Sequence, residues 1–278
     1  MPELPVVRAL SERVDAALSG RKLSALAVLG FSGLKTVAPS PDDLVGSTLV
    51  GVTSRGKFLV FDFARRGRAL VHLGNSGRLD IEQPAKSTRP RGSLARFGLG
   101  DAAVLIREHG TERRAGLWVL ATGDEGPMRE LGPEPLEPSF AAMVREGSDR
   151  RHLHTMLRDQ RTVAGIGRGY ADDVLHHARI SPFASLSGLD GASREQLLAS
   201  VTEVLCAALD RERARTGGLS APSLGDQFAI HRRAGTPCPR CNRRLERVSY
   251  STHEIVYCPD CQTSGKLLAD RRLSRLLR

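Results

Sequence analysis

Four of the five cysteines lie in one short C-terminal stretch, arranged as two Cys-x-x-Cys pairs, Cys238 with Cys241 and Cys258 with Cys261. Two such pairs separated by a short loop can supply four thiolates to one tetrahedral Zn²⁺ ion. The residues between the pairs are rich in Arg and end in the apolar run 255–257, which is typical of a β-hairpin. A disulfide framework is the alternative, but 278 residues without a secretory signal favour a reducing compartment. We therefore predict a zinc-finger β-hairpin that holds one structural zinc ion.

The charge balance of the chain predicts a polyanionic partner. Lys and Arg number 41 against 31 Asp and Glu, which gives a formal net charge of +10. No apolar run is long enough to span a bilayer and no lipidation motif is present, so we expect nucleic acid and no membrane as the partner. Aromatic residues make up only 4% of the chain, which argues against binding of single strands through stacked bases.

The N-terminal part of the sequence predicts one helix followed by strands. Apolar residues recur at helical spacing from Val7 to Leu18, and Gly20 ends the pattern. From Leu23 to about Leu120, short apolar runs alternate with turn residues. These runs are residues 49–52, 58–63, 69–73, 103–106 and 117–120. The pattern predicts a β-sandwich or flattened barrel that carries the N-terminal helix, over residues 1–125.

The second half of the sequence predicts a helical domain and the hairpin. A proline-rich stretch, residues 126–138, is interpreted as a linker. Helical periodicity then predicts a domain over residues 139–225, and the zinc-finger hairpin with a basic tail occupies residues 226–278. Ser193 with Gln196 resembles a capping box at the start of the longest helix, and Cys206 within it is interpreted as a small core residue. The predicted fold class is α+β and multidomain.

The first candidate for chemistry is the amino terminus, Met1-Pro2-Glu3. Removal of the initiator methionine would leave Pro2 as a free secondary amine. An α-amine has a pKa of about 8, so an appreciable fraction is neutral and nucleophilic at physiological pH. Attack on a sugar C1′ would give a cationic iminium, and Glu3 could act as the general acid or base. The alternative is an ordinary helix start with Pro and Glu in its first turn.

The second candidate is the glycine-rich segment 163–174. Three glycines in a turn that leads into a helix let backbone N–H groups approach an anion, and Arg168 adds a fixed cation. A helix-turn-helix variant that contacts DNA phosphates fits this context better than a dinucleotide-binding turn, which needs a preceding strand. A purely structural tight turn is the alternative.

Taken together, these segments resemble the formamidopyrimidine-DNA glycosylase/endonuclease VIII family of base-excision repair enzymes. The resemblance covers nearly the whole chain and lies in the order of its motifs. These are Pro2-Glu3-Leu4-Pro5, Gly56-Lys57-Phe58-Leu59, His72-Leu73-Gly74 with Ser76-Gly77, Arg113-Arg114, Asp159-Gln160, Gly165-Ile166-Gly167-Arg168-Gly169-Tyr170 and the four cysteines. The end of the chain is most similar to a branch of that family found in actinobacteria.

The resemblance implies a fold, an activity and a set of site residues. The fold would be an N-terminal helix plus β-sandwich, a helix–two-turn–helix domain and the zinc finger. The activity would be that of a DNA repair glycosylase with AP lyase activity, acting on damaged or abasic double-stranded DNA. The protein would be a monomer in the bacterial cytoplasm, associated with the nucleoid when bound to DNA. The implied catalytic residues are Pro2, Glu3 and Lys57, and the implied DNA-binding residues are Asn75, Arg113, His154, Arg168, Tyr170 and His253.

Several positions depart from the family pattern. Val6 stands where the family usually has Glu, Arg168 replaces an asparagine, His253 an arginine and His154 a lysine. Of the side chains that wedge into the gap left by a flipped base, only Arg113 persists, because the other two align with Asn75 and Ala115. The family's His-Asp-His strand is missing where residues 93–97 run.

These departures leave three hypotheses open. The first is a glycosylase/lyase with an altered preference for bulky or abasic lesions, because wedges that support an unstacked duplex are missing. The second is a non-catalytic or weakly catalytic protein that binds damaged DNA on the same scaffold. The third is an RNA- or ribosome-associated protein, since zinc ribbons and similar helical modules occur there too.

Overall fold

The computed structural model describes residues 1–109, 112–215, 227–251 and 253–269. The chain forms two compact units, one comprising Met1–Glu130 with Leu209–Leu224 and the other Leu131–Ala208 with Gly225–Arg278. The domain boundaries predicted from sequence stay predictions. The predicted boundary at residues 225 and 226, and the tail after residue 269, lie outside the described residues.

The first unit begins with helix α1, Leu4–Leu18, whose apolar stripe is buried at Leu4, Val7, Leu10, Val14 and Leu18. Val14 and Leu18 have no exposed surface, so the stripe forms part of the core as its spacing predicts. The helix is also tied to the sheet through one side chain. Asp15 Oδ1 accepts a hydrogen bond from the backbone N–H of Val52 at 2.8 Å.

Two four-stranded antiparallel sheets follow α1. One has the order β1-β6-β7-β5, formed by Leu23–Val28, Ser93–Leu99, Ala102–Glu108 and Gly77–Glu82. The other has the order β2-β3-β4-β8, formed by Leu49–Arg55, Phe58–Phe63, Gly67–His72 and Gly116–Leu120. Phe61 in β3 and Phe97 in β6 stack with ring centroids 4.7 Å apart, so the two sheets share one core. The predicted β-sandwich with an N-terminal helix is confirmed.

The second unit is helical and ends in the hairpin. Its helices are α2 to α6, namely Pro138–Glu146, Leu153–Arg158, Arg168–His177, Gly191–Arg213 and Pro259–Thr263. The last residues of α5, from Leu209 on, are grouped with the first unit. Strands β9, Glu246–Ser249, and β10, Glu254–Tyr257, pair antiparallel as the predicted hairpin. In the described parts of the chain, no helix combines the length and the apolar character needed to cross a bilayer.

Two local predictions for helix α5 are wrong. The helix begins at Gly191, and Asp190 Oδ1 accepts the backbone N–H of Ser193 at 2.8 Å, so Asp190 caps the helix in place of Ser193. Cys206 is exposed because it lies one residue past the buried stripe position Leu205, a rotation of about 100° around the helix.

Candidate functional site

The predicted catalytic residues Pro2 and Glu3 are both buried at the start of α1. Glu3 is the N-cap residue, and its side chain is only 5% exposed. Within the described chain, the Glu3 carboxyl makes no capping hydrogen bond to α1. Helix capping therefore does not account for this acidic side chain, which weakens the alternative of an ordinary helix start.

Lys57 and His72 lie in one electrostatic environment with the amino terminus. Lys57 is 5% exposed and follows Gly56, which turns the chain between β2 and β3 with a φ of +58°. His72 ends β4, next to Phe58 in the sheet register. Burial, together with the positive charges of Lys57 and of the chain's amino terminus, lowers the pKa of His72 to about 4. The imidazole is therefore neutral at pH 7.

The imidazole of His72 also joins two loops. Its Nδ1 atom accepts the backbone N–H of Gly74 at 3.2 Å, and its side chain is hydrogen-bonded to the backbone of Arg114. A Cβ added to Gly74, whose φ is +58°, would meet the carbonyl carbon of Arg114 at 2.8 Å. The sequence motif contained His72, but its role in linking these loops becomes visible only in the structure.

The two loops carry the predicted duplex contacts Asn75 and Arg113. Arg113 is exposed, and Asn75 is half-buried with its Nδ2 atom donating to Glu112 Oε2 at 2.9 Å. The buried Glu108 fixes the second loop, because its Oε1 atom accepts the backbone N–H groups of Arg114 and Ala115 at 2.7 and 3.0 Å. Ala115 is 2% exposed, so its methyl group belongs to the core and offers no wedge.

The glycine-rich segment forms an ordered turn before α4 in the second unit. Gln160 holds the turn, because its Oε1 atom accepts the backbone N–H of Gly165 at 2.9 Å and its Nε2 atom donates to the carbonyl of Ile166 at 2.6 Å. Arg168 is the first residue of α4 and is exposed. A cation at a helix N-terminus, where the backbone N–H groups also point outward, is suited to an anion.

Arg158, at the end of α3, lies beside Arg168 and was missed in the sequence. Burial lowers the pKa of Arg158, and the neighbouring charge of Arg168 lowers it further. His253 interacts electrostatically with both arginines. Burial is the main cause that lowers the pKa of His253 to about 4, and the charges of Arg158, His154 and Arg168 contribute. We call Arg158, Arg168 and His253 the cationic cluster. The ring of His253 stacks on Tyr250 with centroids 4.6 Å apart and planes inclined by 6°.

Two predicted DNA-binding residues, His154 and Tyr170, are buried. His154 has no exposed surface, and its Nε2 atom lies 3.1 Å from Asp172 Oδ1. The other carboxylate oxygen of Asp172 lies 2.6 Å from His231 Nδ1. Tyr170 is 1% exposed and packs edge-on against Phe228. Neither side chain offers surface to DNA in this structure, and their role in DNA binding stays a prediction.

The four predicted metal ligands, Cys238, Cys241, Cys258 and Cys261, are brought together. Their Sγ atoms all lie within 4.8 Å of one another, and the Sγ–Sγ distance is 3.4 Å between Cys241 and Cys258 and 4.0 Å between Cys238 and Cys261. Four sulfurs placed tetrahedrally 2.3 Å from one ion are about 3.8 Å apart. The arrangement therefore fits a single four-coordinate metal ion with thiolate ligands.

Comparison with known proteins gives two family matches. Residues 1–114 match the formamidopyrimidine-DNA glycosylase N-terminal domain, and residues 131–218 match the formamidopyrimidine-DNA glycosylase H2TH domain. A formamidopyrimidine-DNA glycosylase of Symbiobacterium thermophilum is 32% identical over 289 residues, which cover 98% of this chain and 93% of that protein. An uncharacterized formamidopyrimidine-DNA glycosylase-like protein of Mycobacterium tuberculosis is 39% identical over 153 residues, which cover 54% of this chain and 96% of that protein.

Solved structures show the same fold. MutM in complex with DNA containing carbocyclic 8-oxo-G is similar with a TM-score of 0.82 and 21% identity, over 94% of this chain and 100% of that chain. Lactococcus lactis Fpg in complex with DNA containing an abasic site is similar with a TM-score of 0.81 and 22% identity, over 94% of this chain and 99% of that chain.

Proposed function

The chain belongs to the formamidopyrimidine-DNA glycosylase family, and from this we propose that it excises damaged bases from double-stranded DNA and cleaves the strand at the abasic site. The observation that carries the proposal is the amino-terminal arrangement. Pro2 and Glu3 are buried directly after Met1, and the charges of the amino terminus and of Lys57 both lower the pKa of His72.

The proposed chemistry begins once Met1 has been removed and Pro2 has become a secondary amine. The Pro2 nitrogen attacks C1′ of the damaged nucleotide, and the base leaves with a proton. Opening of the sugar ring gives an iminium, whose positive charge makes the C2′ proton acidic. Loss of that proton expels the 3′ phosphate and cleaves the strand. Glu3 transfers protons as the ring opens, and Lys57 binds a phosphate at the lesion.

Arg113 and the cationic cluster would bind the duplex. Arg113 would enter the gap in the base stack, and the cationic cluster would contact phosphates, which Arg can bind through two parallel hydrogen bonds. The four thiolates fit Zn²⁺, which would cross-link the hairpin whose turn carries His253. We propose a structural role for this ion and no part for it in catalysis. We also propose that the protein acts as a cytoplasmic monomer at the nucleoid.

The loops support an altered lesion preference. Ala115 is buried and Asn75 is hydrogen-bonded to Glu112, so neither residue offers an apolar side chain to fill the space of a flipped base. Unstacking an intact base step costs a few kcal/mol, and a lesion that already distorts the duplex reduces that cost. We therefore propose that bulky adducts and abasic sites are better substrates than small oxidised bases.

Borohydride trapping on an abasic duplex tests the chemistry directly. Wild-type protein should form a covalent complex, and Pro2→Gly combined with Glu3→Gln should strongly diminish it. Pro41→Gly, at the half-buried start of the 3₁₀ helix Pro41–Leu44, serves as the control and should trap like wild type. Absence of a trap with wild type, or an undiminished trap with the double variant, would refute the proposal. Mass spectrometry of the trapped protein should show Pro2 as the first residue.

A second function is favoured by one observation. His253 is neutral near pH 7 because its pKa is about 4, so the cationic cluster carries two charges in place of three. A protein that binds damaged DNA without excising bases would retain the cluster and could function with weaker binding of phosphates. Lesion-selective binding without strand cleavage across bulky, oxidised and abasic substrates would establish this function, whereas multiple turnover on any of them would exclude it.

A further inference from the structure

His176 lies in the last turn of α4, and its side chain reaches one of the metal ligands. The imidazole is 4% exposed, and its Nε2 atom lies 3.2 Å from the Sγ atom of Cys238. Cys238 is itself only 3% exposed. The hydrogen bond is therefore shielded from water. If it were lost, a water molecule could not easily take the place of either partner.

The chemistry of a metal-bound thiolate settles the direction of this hydrogen bond. A thiolate sulfur carries no proton, so it can only accept, and the imidazole must donate its Nε2–H. Four thiolates around a divalent cation carry a net charge of −2, which buried surroundings disfavour. A donated N–H offsets part of that charge. Apart from the backbone N–H of Arg240, at 3.4 Å, the described residues provide no other donor to this sulfur.

Further hydrogen bonds join the same end of α4 to both cysteine pairs. Arg240, between the first two cysteines, donates from Nη1 to the carbonyl of His176 at 2.8 Å. Gln262, next to Cys261, donates from Nε2 to the carbonyl of Ile180 at 2.9 Å, and its Oε1 atom accepts the backbone N–H of Cys258 at 2.8 Å. These hydrogen bonds end on backbone groups and not on a ligand sulfur. Among the described residues, His176 is the one side chain of α4 that contacts a ligand sulfur.

We infer that His176 is a further residue of the metal centre, which donates Nε2–H to the Cys238 thiolate and thereby slows loss of the ion. The same helix begins with Arg168 of the cationic cluster, about 12 Å away along the helix axis. Retention of the metal and placement of Arg168 therefore depend on one rigid element. The inference does not rest on the proposed enzymatic activity, because it concerns only the metal centre.

Metal release measures this role without any DNA. The zinc-loaded protein is mixed with a chromophoric chelator, and the rate of zinc transfer is followed by absorbance. His176→Phe keeps a ring of similar size but removes the donor, and zinc release should become about 10- to 100-fold faster. His176→Gln can place an amide N–H near the sulfur and should restore most of the wild-type rate. His177→Phe is the matched control, because His177 bonds to Ser200 and Glu203 and should release zinc like wild type.

Two outcomes would overturn the inference. Wild-type release from His176→Phe would show that the hydrogen bond is unimportant, and equally fast release from His176→Phe and His176→Gln would show that only packing matters. Should His176→Phe fail to fold, the wild-type protein loaded with ¹¹³Cd and ¹⁵N-histidine decides the matter. Scalar coupling between the His176 Nε2–H and ¹¹³Cd is expected, and an Nδ1-protonated ring without coupling would contradict the proposed bond.

Discussion

Glu108 holds the backbone of Arg114 in place, since its buried Oε1 atom accepts the Arg114 N–H at 2.7 Å and the next N–H at 3.0 Å. Glu108→Ala should leave one buried and one partly buried N–H donor without an acceptor and lower the free energy of unfolding by about 2 kcal/mol. Binding of an abasic duplex should weaken as well, because Arg113 loses its support. Urea denaturation and fluorescence anisotropy measure the two effects. Glu112→Ala, at an exposed site in the same loop, should change stability by less than about 0.5 kcal/mol, and equal effects would contradict the assignment.

His72 should make the protein sensitive to acid. Its folded-state pKa of about 4 lies below the ordinary value of 6.5, so the unfolded chain binds the proton first as the pH falls. The contribution of this group to stability is complete above pH 6.5 and decreases by up to about 1.4 kcal/mol per pH unit down to pH 4. His72→Gln cannot titrate, so its unfolding free energy, measured in urea, should fall less steeply over this range. His109→Gln, at an exposed site in the same unit, should retain the wild-type slope. Identical slopes for wild type and His72→Gln would refute the prediction.

His253→Arg should strengthen DNA binding near pH 7 by restoring a third charge to the cationic cluster. Each phosphate neutralised adds about 0.9 to the slope of log affinity against log salt. We expect roughly three- to tenfold tighter binding at low salt and a slope steeper by about 0.9. Anisotropy titrations at several salt concentrations measure both quantities. Thr202→Arg adds the same charge on the exposed side of α5 and controls for net charge. A slope that rises equally in both variants would mean that His253 faces no phosphate.

Asp172 should be important for the stability of the second unit. Its two carboxylate oxygens lie against His154 and His231, with no exposed surface at Asp172 or His154. Asp172→Ala should lower the free energy of unfolding by about 3 kcal/mol, because the buried His231 loses its hydrogen-bonded carboxylate and His154 loses the carboxylate beside it. Glu203→Ala removes a similar carboxylate–histidine contact, at 3.3 Å to His177, from a side chain that is 64% exposed, and should cost at most about 1 kcal/mol. If urea denaturation showed similar losses of unfolding free energy for Asp172→Ala and Glu203→Ala, burial would not explain the importance of Asp172.

Local patterns were sufficient for much of the architecture. The cysteine spacing predicted the metal-binding cluster, because two cysteines separated by two residues can both bind the same ion, and two such pairs complete a tetrahedral site. The apolar stripe of α1 and the short runs in the strands predicted a helix on a β-sandwich, since both periods reflect which side of an element is buried. The start of α5 was misjudged because Asp190 and Ser193 are both good capping residues, and spacing alone does not choose between them.

The site was less accessible to sequence reasoning. The resemblance aligned His154 and Tyr170 with DNA-binding positions, but alignment carries no information on exposure, and both side chains lie in the core. Arg158, Glu108 and His176 carry no motif of their own. Their roles depend on neighbours that are distant in sequence. His176 and Cys238, for example, are 62 positions apart. Only the folded chain shows these partners.

The side-by-side placement of Arg158 and Arg168 has a practical consequence. Two like charges held together before any ligand arrives repel each other, and any polyanion that settles between them relieves this repulsion. Heparin or undamaged oligonucleotides should therefore raise the melting temperature even though they contain nothing to repair. Thermal-shift screening of this protein will therefore detect the binding of any polyanion. Recognition of a lesion has to be measured by turnover.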